Sequence, residues 1–476
     1  MKNLNNISVL IVTLAALAIS GPSRASTLLE IYQQALQSDP QIHEAEARRL
    51  AALESKPQAR GALLPQIGAG GSYTSSERSG PDLIPNPDPN LPPVPVTSTN
   101  ETDVLQYGIS LRQSLFRWDQ IVNLRRADKT ITRAEAVREA AQQDLIVRVA
   151  QRYFDVLAAE DRLTSINANR EAIARQLEQA KQRFEVGLIA ITDVQESQAA
   201  YDQSVADEIA AKRTLATARE FLREITGEYV SELDAPAADF PLLNPDPSSE
   251  QDWVRLSLEQ NLNLIASRLD ERLARDEISF RRNGYYPTLE LVANAGTTET
   301  DSVYSAPGIN QANNFENDSD SISLQFNIPL FAGGGNKSRV REAIYLHRAS
   351  REQLQRVTRE TERQARDAYL GVLSEISRVK ALEQAVASSR TALQATQAGY
   401  EVGTRTIVEV LNSQFSLYAA ITNFYQSRYD YIMNALRLKQ AAGTLQVQDL
   451  ERIDKWLQDR PSPEEAAASR ANQQNP

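Results

Sequence analysis

The sequence contains no cysteine and only two histidines, His43 and His347. Disulfide bonds, thiolate catalysis and cysteine-rich zinc sites are therefore excluded, and a histidine-rich metal site is not expected. The formal net charge of -11 argues against nucleic acid as a partner, because phosphate backbones bind basic surfaces. Composition thus predicts a protein that needs no metal and no other cofactor.

Long apolar runs are also scarce in this 476-residue chain, whose mean hydropathy is -0.43. Residues 1–25 are predicted to be an export signal, with Lys2 before an apolar run from Val9 to Ile19 and small residues at the cleavage site. The alternative, a membrane anchor, is disfavoured because a spanning helix needs about 20 apolar residues. After this segment no run of about 18 apolar residues follows, so we expect an exported chain without a spanning helix.

Proline is missing from Val96 to Ala235, so nothing interrupts a helix predicted from Trp118 to Phe184. Its apolar positions recur in steps of three and four, which is typical of a coiled coil. At 1.5 Å per residue such a helix is roughly 100 Å long.

The chain is a tandem repeat. A shift of 216 positions places Tyr153 on Tyr369 and Gly187 on Gly403. The predicted parts are a first repeat at 26–233 (helix, strand hairpin 63–116, long helix 117–185, helix 191–227), a linker at 234–251, a second repeat at 252–450 (helix, strand hairpin 286–331, long helix 336–401, helix 406–442), and an end segment with a disordered tail at 451–476.

Each long helix is predicted to end at a glycine, which adopts the left-handed cap conformation without a Cβ clash. The next helix then restarts at a capping box, "TDVQ" (Thr192 and Gln195) in the first repeat and "TIVE" (Thr406 and Glu409) in the second. Each repeat therefore contains a long helical hairpin with a glycine turn at its tip.

Alternation with a period of two predicts a strand in each repeat, from Leu105 to Leu115 and from Ser321 to Leu330. Partner strands are expected to begin near Pro65 and Pro287. The intervening segments, 78–102 with its prolines and 301–320 with its Asn, Asp and Ser, are predicted to be solvated hairpin loops.

These strands have the length of membrane strands, because ten residues tilted by about 45° cover roughly 25 Å. An ordinary soluble sheet is the alternative. Four strands cannot close a barrel, whose minimum is about eight, so several chains would have to share one. The aromatic residues at the strand ends suit an interfacial belt against outer-membrane lipid: Phe116, Trp118 and Phe331.

The segments "RFEVGLIAITDVQ", "LREITG", "GYEVGTRTIVEVL" and "AAGTL" resemble the outer membrane factor family of channel proteins, and the resemblance extends over 28–450. It implies a mainly α fold with a small β part. It also implies a homotrimer. In that trimer, duplicated helical hairpins form an α-helical barrel in the periplasm, and four strands per chain contribute to a shared 12-stranded transmembrane β-barrel. An equatorial belt would come from 231–252 and the segment after Gly443.

The resemblance also implies the function, an outer-membrane exit duct that works with periplasmic adaptor proteins and inner-membrane transporters to expel drugs, detergents and secreted proteins. Energy would come from those partners, since the sequence has no nucleotide-binding motif. A secreted coiled-coil scaffold or adhesin without a pore is the alternative. No recognisable set of nucleophile, base and orienting group predicts an enzyme.

Residues are assigned to the gate by the same resemblance. Tyr400 and Arg405 would link to Gln176, Thr192 and Asp193 of neighbouring hairpins, and breaking these links would let the inner hairpins untwist. The alternative is that Arg405 and Asp193 are solvated charges at the tips.

Two further sets of residues follow from the resemblance. The family's constriction carries two acidic residues one helical turn apart, and here these positions are Glu409 and Asn412, so one ring of carboxylates is missing. Glu409 could also serve only the capping box. The hairpin tips would dock adaptors, unless their apolar residues merely pack the turn: Val186, Gly187, Leu188, Val402, Gly403 and Thr404.

Overall fold

A computed structural model describes residues 26–86, 88–230, 232–237 and 240–458. The predicted export signal (1–25) and most of the predicted tail lie outside the described residues. The chain divides into two compact units. One takes its described residues from Met1–Arg48, Glu135–Ala266 and Gln355–Pro476, and the other consists of Arg49–Ala134 and Ser267–Leu354.

Helices make up most of the described chain. In chain order they are α1 (Leu28–Ser38), α2 (Pro40–Leu53), α3 (Ser55–Gly61), α4 (Trp118–Glu185), α5 (Ile191–Thr226), α6 (Glu250–Gln260), α7 (Leu262–Arg281), a 3₁₀ turn (Arg282–Tyr285), α8 (Gly335–Glu401), α9 (Ile407–Ala441) and α10 (Val447–Asp454). The strands are β1 (Gln66–Ile84), β2 (Val94–Phe116), β3 (Ala235–Pro236), β4 (Thr288–Ala306), β5 (Ile309–Asn327) and β6 (Leu457–Gln458).

Two helices are exceptionally long. α4 has 68 residues and α8 has 67, so each is roughly 100 Å long at 1.5 Å per residue. Neither contains proline, and each occupies the corresponding position of its repeat. Within the described residues no helix is both long enough and apolar enough to cross a bilayer.

The hydrophobic core of the first unit surrounds the middle of α4. Tyr153, Phe154 and Leu157 are almost completely buried there, and the ring of Phe154 stacks on Tyr429 of α9 at 5.5 Å between centroids. The Tyr153 hydroxyl donates a hydrogen bond to the carbonyl oxygen of Asp234 at 2.7 Å. Burial of this hydroxyl raises the pKa of Tyr153, so it remains a neutral donor.

The matching tyrosine of the second repeat also donates a hydrogen bond to a backbone carbonyl. Tyr369, 216 positions later, donates its hydroxyl hydrogen bond to the carbonyl oxygen of Ser248, just before α6. Each long helix therefore fixes an irregular segment of backbone by satisfying a carbonyl group there. The two repeats thus share a tyrosine that donates to irregular backbone, although the acceptors named, Asp234 and Ser248, are not equivalent positions.

The second unit contains the sheet, with strand order β1–β2–β4–β5 and every pair antiparallel. Each repeat contributes one hairpin, and the two hairpins join through β2 and β4. The register places Ile67 opposite Leu111, Leu111 opposite Ala293, and Ala293 opposite Ile322. Because opposite residues share a face, one face of the sheet carries an apolar band.

The other face carries small and polar residues. Here the register aligns Gly70 with Gly108, Gly108 with Gly296, and Gly296 with Ser319. An apolar face and a polar face on four long strands are the pattern of a membrane barrel wall.

Ion pairs connect the helices of this second unit. Arg126 of α4 pairs with Glu277 of α7 at 2.7 Å, and Lys56 of α3 pairs with Asp128 at 2.6 Å. Further pairs join Lys129 to Asp276, Arg133 to Asp270, and His347 to Glu271. Because these pairs are partly exposed, each adds little to the stability of the unit.

The sequence underestimated the strands. The two hairpins continue through most of the segments predicted to be loops, so β1 has 19 residues and β2 has 23, and the connections shrink to 85–93 and 307–308. Pro81 and Pro95 lie inside strands, and β5 ends at Asn327, before the predicted end at Leu330. Polar residues hid these extensions, because a ladder of backbone hydrogen bonds needs no alternation of apolar side chains.

Candidate functional site

The tip of the first hairpin is a tight turn between α4 and α5. The amide of Leu188 donates to the carbonyl of Arg183 at 2.8 Å, and that of Gly187 donates to Phe184 at 2.9 Å. Gly187 has φ = 77°, in the left-handed region. These bonds form a Schellman motif, which satisfies the last carbonyls of α4.

The second hairpin repeats this geometry between α8 and α9. The amide of Thr404 donates to the carbonyl of Gly399 at 2.8 Å, and that of Gly403 donates to Tyr400 at 3.1 Å. Gly403 has φ = 78°. Both glycines predicted from the sequence thus occupy the position that requires a left-handed residue.

Apolar side chains project from both tips into solvent. Val186 is 70% exposed, Leu188 73% and Val402 75%. Their exposure argues against the alternative that they pack the hairpin interior. The interior position near the first tip is filled instead by Leu177, Ala180 and Val194.

Charged and capping residues meet at the start of α9. The Thr406 hydroxyl accepts from the Glu409 amide at 3.3 Å, and the Glu409 carboxylate accepts from the Thr406 amide at 2.8 Å. The other oxygen of Glu409 pairs with Arg405 at 2.6 Å. The predicted capping box is present, and residues assigned separately to the gate and the constriction form one ion pair.

The hydrogen bond from the Thr406 amide, and then that from the guanidinium of Arg405, hold the pKa of Glu409 below its ordinary value. Because the folded-state pKa is the lower one, the ionised carboxylate stabilises the tip above its unfolded pKa. That stabilisation is lost as pH falls through the folded-state pKa.

The capping box predicted at the start of α5 was wrong. α5 begins at Ile191 after Ala190, which offers no capping side chain, and Thr192 already lies inside the first turn. Ala190 stands 216 positions before Thr406, so the two hairpins share their backbone but differ in their caps. The sequence pattern S/T-x-x-E/Q begins at Thr192, two residues after the N-cap residue, Ala190.

The remaining predicted gate residues lie on both hairpins. Gln176 is half-buried on α4, while Thr192 is exposed and Asp193 half-buried in the first turn of α5. Within the chain, the ring of Tyr400 lies under the guanidinium of Arg183, 5.3 Å from the ring centroid. Such a cation–π contact fixes Tyr400 at the junction of the two hairpins.

Sequence reasoning missed two contributors to this site, Arg183 and Gly399, which occupy the same position of the two repeats. A Cβ on Gly399 would lie 2.7 Å from Cγ of Arg405, so glycine leaves the space in which that arginine folds back. The 216-residue shift places an arginine opposite a glycine here, and this difference between the repeats is the sequence signal that could have identified both residues.

The second constriction position, Asn412, is exposed one helical turn beyond Glu409 on α9. The carboxylate of Glu409 is paired with Arg405.

The predicted interface aromatics gather where strands meet helices. Phe116 is the last residue of β2 and Trp118 the first of α4. The indole of Trp118 donates to the carbonyl of Ser279 at 3.1 Å and lies 5.2 Å from the ring of Tyr286. Phe331 follows β5 and is 89% exposed.

Solved structures of membrane proteins share this fold. One is a membrane protein from Pseudomonas aeruginosa, with a TM-score of 0.71 at 18% identity, covering 88% of this chain and 91% of the other. Another is the outer membrane protein VceC from Vibrio cholerae, with a TM-score of 0.69 at 19% identity, covering 87% and 96%. An amphipathic sheet and two long helical hairpins are therefore the fold that the chain shares with these membrane proteins.

The sequence narrows this class. The profile of the outer membrane efflux protein family matches residues 31–228 and 253–444, and the chain belongs to that family. It is accordingly a protein of the outer membrane, with a large periplasmic helical part.

Named relatives span nearly the whole chain. Outer membrane protein TolC of Vibrio cholerae is 37% identical over 450 residues, covering 94% of this chain and 98% of the relative. TolC of Escherichia coli is 36% identical, covering 94% and 88%. Alkaline protease secretion protein AprF of Pseudomonas aeruginosa is 28% identical, covering 90% and 86%.

The unequal caps give a direct test. Thr406→Ala removes the side chain that accepts the Glu409 amide, so the start of α9 should lose about 1 kcal/mol of local stability. Thr192→Ala, which removes no cap, is the matched control. Hydrogen exchange of the amides in the first turn of α9 should accelerate in Thr406→Ala only. Equal behaviour of the two variants would contradict the assignment.

Proposed function

We propose that three copies of this chain form an exit duct through the outer membrane that serves both efflux and protein secretion. The observation that carries the proposal is the open four-stranded sheet, which has one apolar face and two edges within a chain. Nothing in the described fold favours the alternative of a secreted scaffold or adhesin, which has no use for an apolar sheet face.

Closure of the barrel requires the other copies. Lipid offers no hydrogen bonds to bare backbone groups, so a membrane-spanning sheet must close on itself. Four strands fall short of the minimum of about eight, and three copies supply twelve. The aromatic residues at the strand ends, exposed Phe116 and Phe331 and partly buried Trp118, then lie at the boundary with the lipid headgroups.

The driving force and the cargo come from partners. Relatives are named for efflux and for protease secretion, which supports a duct that carries drugs, detergents and secreted proteins. An inner-membrane transporter supplies the energy, and a periplasmic adaptor protein joins it to the duct. The adaptor docks on the tips, where apolar side chains are exposed on rigid glycine turns: Val186, Gly187, Leu188, Val402, Gly403 and Thr404.

Docking is tested by crosslinking, for which the absence of cysteine gives a clean background. A cysteine introduced by Leu188→Cys should crosslink to a co-expressed adaptor, with candidate adaptors supplied one at a time. Ile209→Cys, at an exposed apolar residue in the middle of α5, is the matched control. Equal crosslinking at both positions, or none at Leu188 in a complex that still copurifies, refutes docking at the tip.

The gate of the duct lies at the same end. In this proposal Tyr400 and Arg405 link to Gln176, Thr192 and Asp193 of neighbouring hairpins, and the inner hairpins untwist when these links break. Each exposed link contributes only about 0.2–1 kcal/mol, so the threefold set acts together. Within each chain Glu409 also pairs with Arg405. This competition weakens the links between neighbouring hairpins enough for the gate to open.

A planar bilayer measurement tests the duct and its gate separately. Purified trimers should form channels of low conductance, and the double variant Tyr400→Phe with Arg405→Ser should raise the single-channel conductance several-fold. Arg390→Ser, at an exposed arginine on α8 away from the tip, should leave it unchanged. Absence of channels would sink the duct itself, whereas channels with unaltered conductance would sink only the gate.

The constriction is proposed to carry a single ring of three carboxylates, one Glu409 from each chain, with Asn412 neutral beside it. Arg405 already neutralises part of this ring, so multivalent cations should block the channel weakly. Replacing Glu409 with glutamine should preserve the helix cap, because glutamine serves a capping box as well as glutamate does.

Block by a trivalent cation tests the ring. Glu409→Gln should abolish the block, and Asn412→Asp should strengthen it by adding a second ring. Glu401→Gln, an exposed carboxylate on the other side of the turn, is the control and should behave as the unmodified protein. Block that survives Glu409→Gln unaltered rules out this carboxylate as the binding group.

A further inference from the structure

Two glycines meet where the hairpin of the first repeat joins that of the second. Gly108 of β2 and Gly296 of β4 are direct partners in the register. A Cβ on Gly108 would lie 2.7 Å from the carbonyl oxygen of Ala295 and 3.0 Å from Cα of Gly296. A Cβ on Gly296 would lie 2.7 Å from the carbonyl oxygen of Tyr107. These distances are to backbone atoms, which cannot swing aside as a side chain can.

Such contacts reveal a bend in the sheet. In an ordinary antiparallel pair the Cβ atoms of opposite residues point away from the sheet and stay about 4.5–5.5 Å apart. At Gly108 and Gly296 the Cβ direction of each strand instead points at the backbone of the other. The two strands are therefore folded toward one another on this face.

The face that carries the two glycines is also hollow. It lines a concavity of about 530 Å³, mostly with small and polar residues from three neighbouring strands and with Ser319 of the fourth. Ser110 and Asn294 lie beside the glycines on this face, whereas Ile109 lies on the opposite, apolar face. The sheet thus curls toward its polar side, as the wall of a water-filled barrel must.

We propose that Gly108 and Gly296 set the curvature of the shared barrel and are needed for its assembly. The inference rests on the proposed trimeric duct and adds which residues make closure possible. By folding the sheet at the junction between the repeats, the pair swings β1 and β5 to the angle at which each meets the edge of the next copy. A flatter sheet presents its edges in a direction that three copies cannot close.

Alanine substitutions test this role, with a control in the same row of the sheet. Gly70 faces the same hollow, but a Cβ there would have nothing within 4 Å. Gly108→Ala and Gly296→Ala should reduce the yield of heat-modifiable trimers in outer-membrane fractions about fivefold or more, since forced overpacking typically costs at least ~1 kcal/mol. Gly70→Ala should assemble as the unmodified chain does.

The outcomes separate the two levels of the proposal. If the unmodified chain forms no trimers, the proposed duct fails. If it forms trimers and all three variants match it, only the bend is refuted. Variants that accumulate as monomers with an unchanged helical circular dichroism signal support the bend, because the helices have folded and closure alone is lost. The proposal is also supported if Gly108→Ala and Gly296→Ala are absent from the membrane while Gly70→Ala forms trimers as the unmodified chain does.

Discussion

The outer edges of β1 and β5 impose the constraint on which the rest of the structure depends. Within the described chain each of these strands has a partner on one side only. In water such an edge costs little, but in hydrocarbon every unpaired backbone group costs several kcal/mol. A sheet with an apolar face and two edges therefore needs further copies, and those copies bring their helical hairpins with them.

The tandem repeat shows how one backbone serves two roles. Both tips use a glycine in the left-handed region and the same pair of closing hydrogen bonds. The side chains differ: the second tip carries the ion pair of Arg405 and Glu409, where the first carries Ile189 and Asp193. The turns are the same in both hairpins, and the unequal side chains give one tip the charged residues of the proposed gate.

Much of the fold could be predicted from local pattern. The absence of proline and a period near 3.5 predict α4 almost to its ends, and glycine predicts both tips. The ends of the strands could not be predicted in this way, because their outer halves are polar and are held by backbone pairing within each hairpin and between β2 and β4. The predicted cap of α5 was wrong because a capping motif states only a local preference, and the helix begins after Ala190, two residues before Thr192.

The sequence by itself determined the long helices, the duplication, the glycine turns and the presence of amphipathic strands, because each follows from the conformational preferences of neighbouring residues. Only the tertiary structure decided that Arg183 lies on Tyr400 and that Gly108 meets Gly296. The members of each pair are far apart in the chain, and no local preference encodes their distance. It is the register of paired strands and packed helices that brings them together.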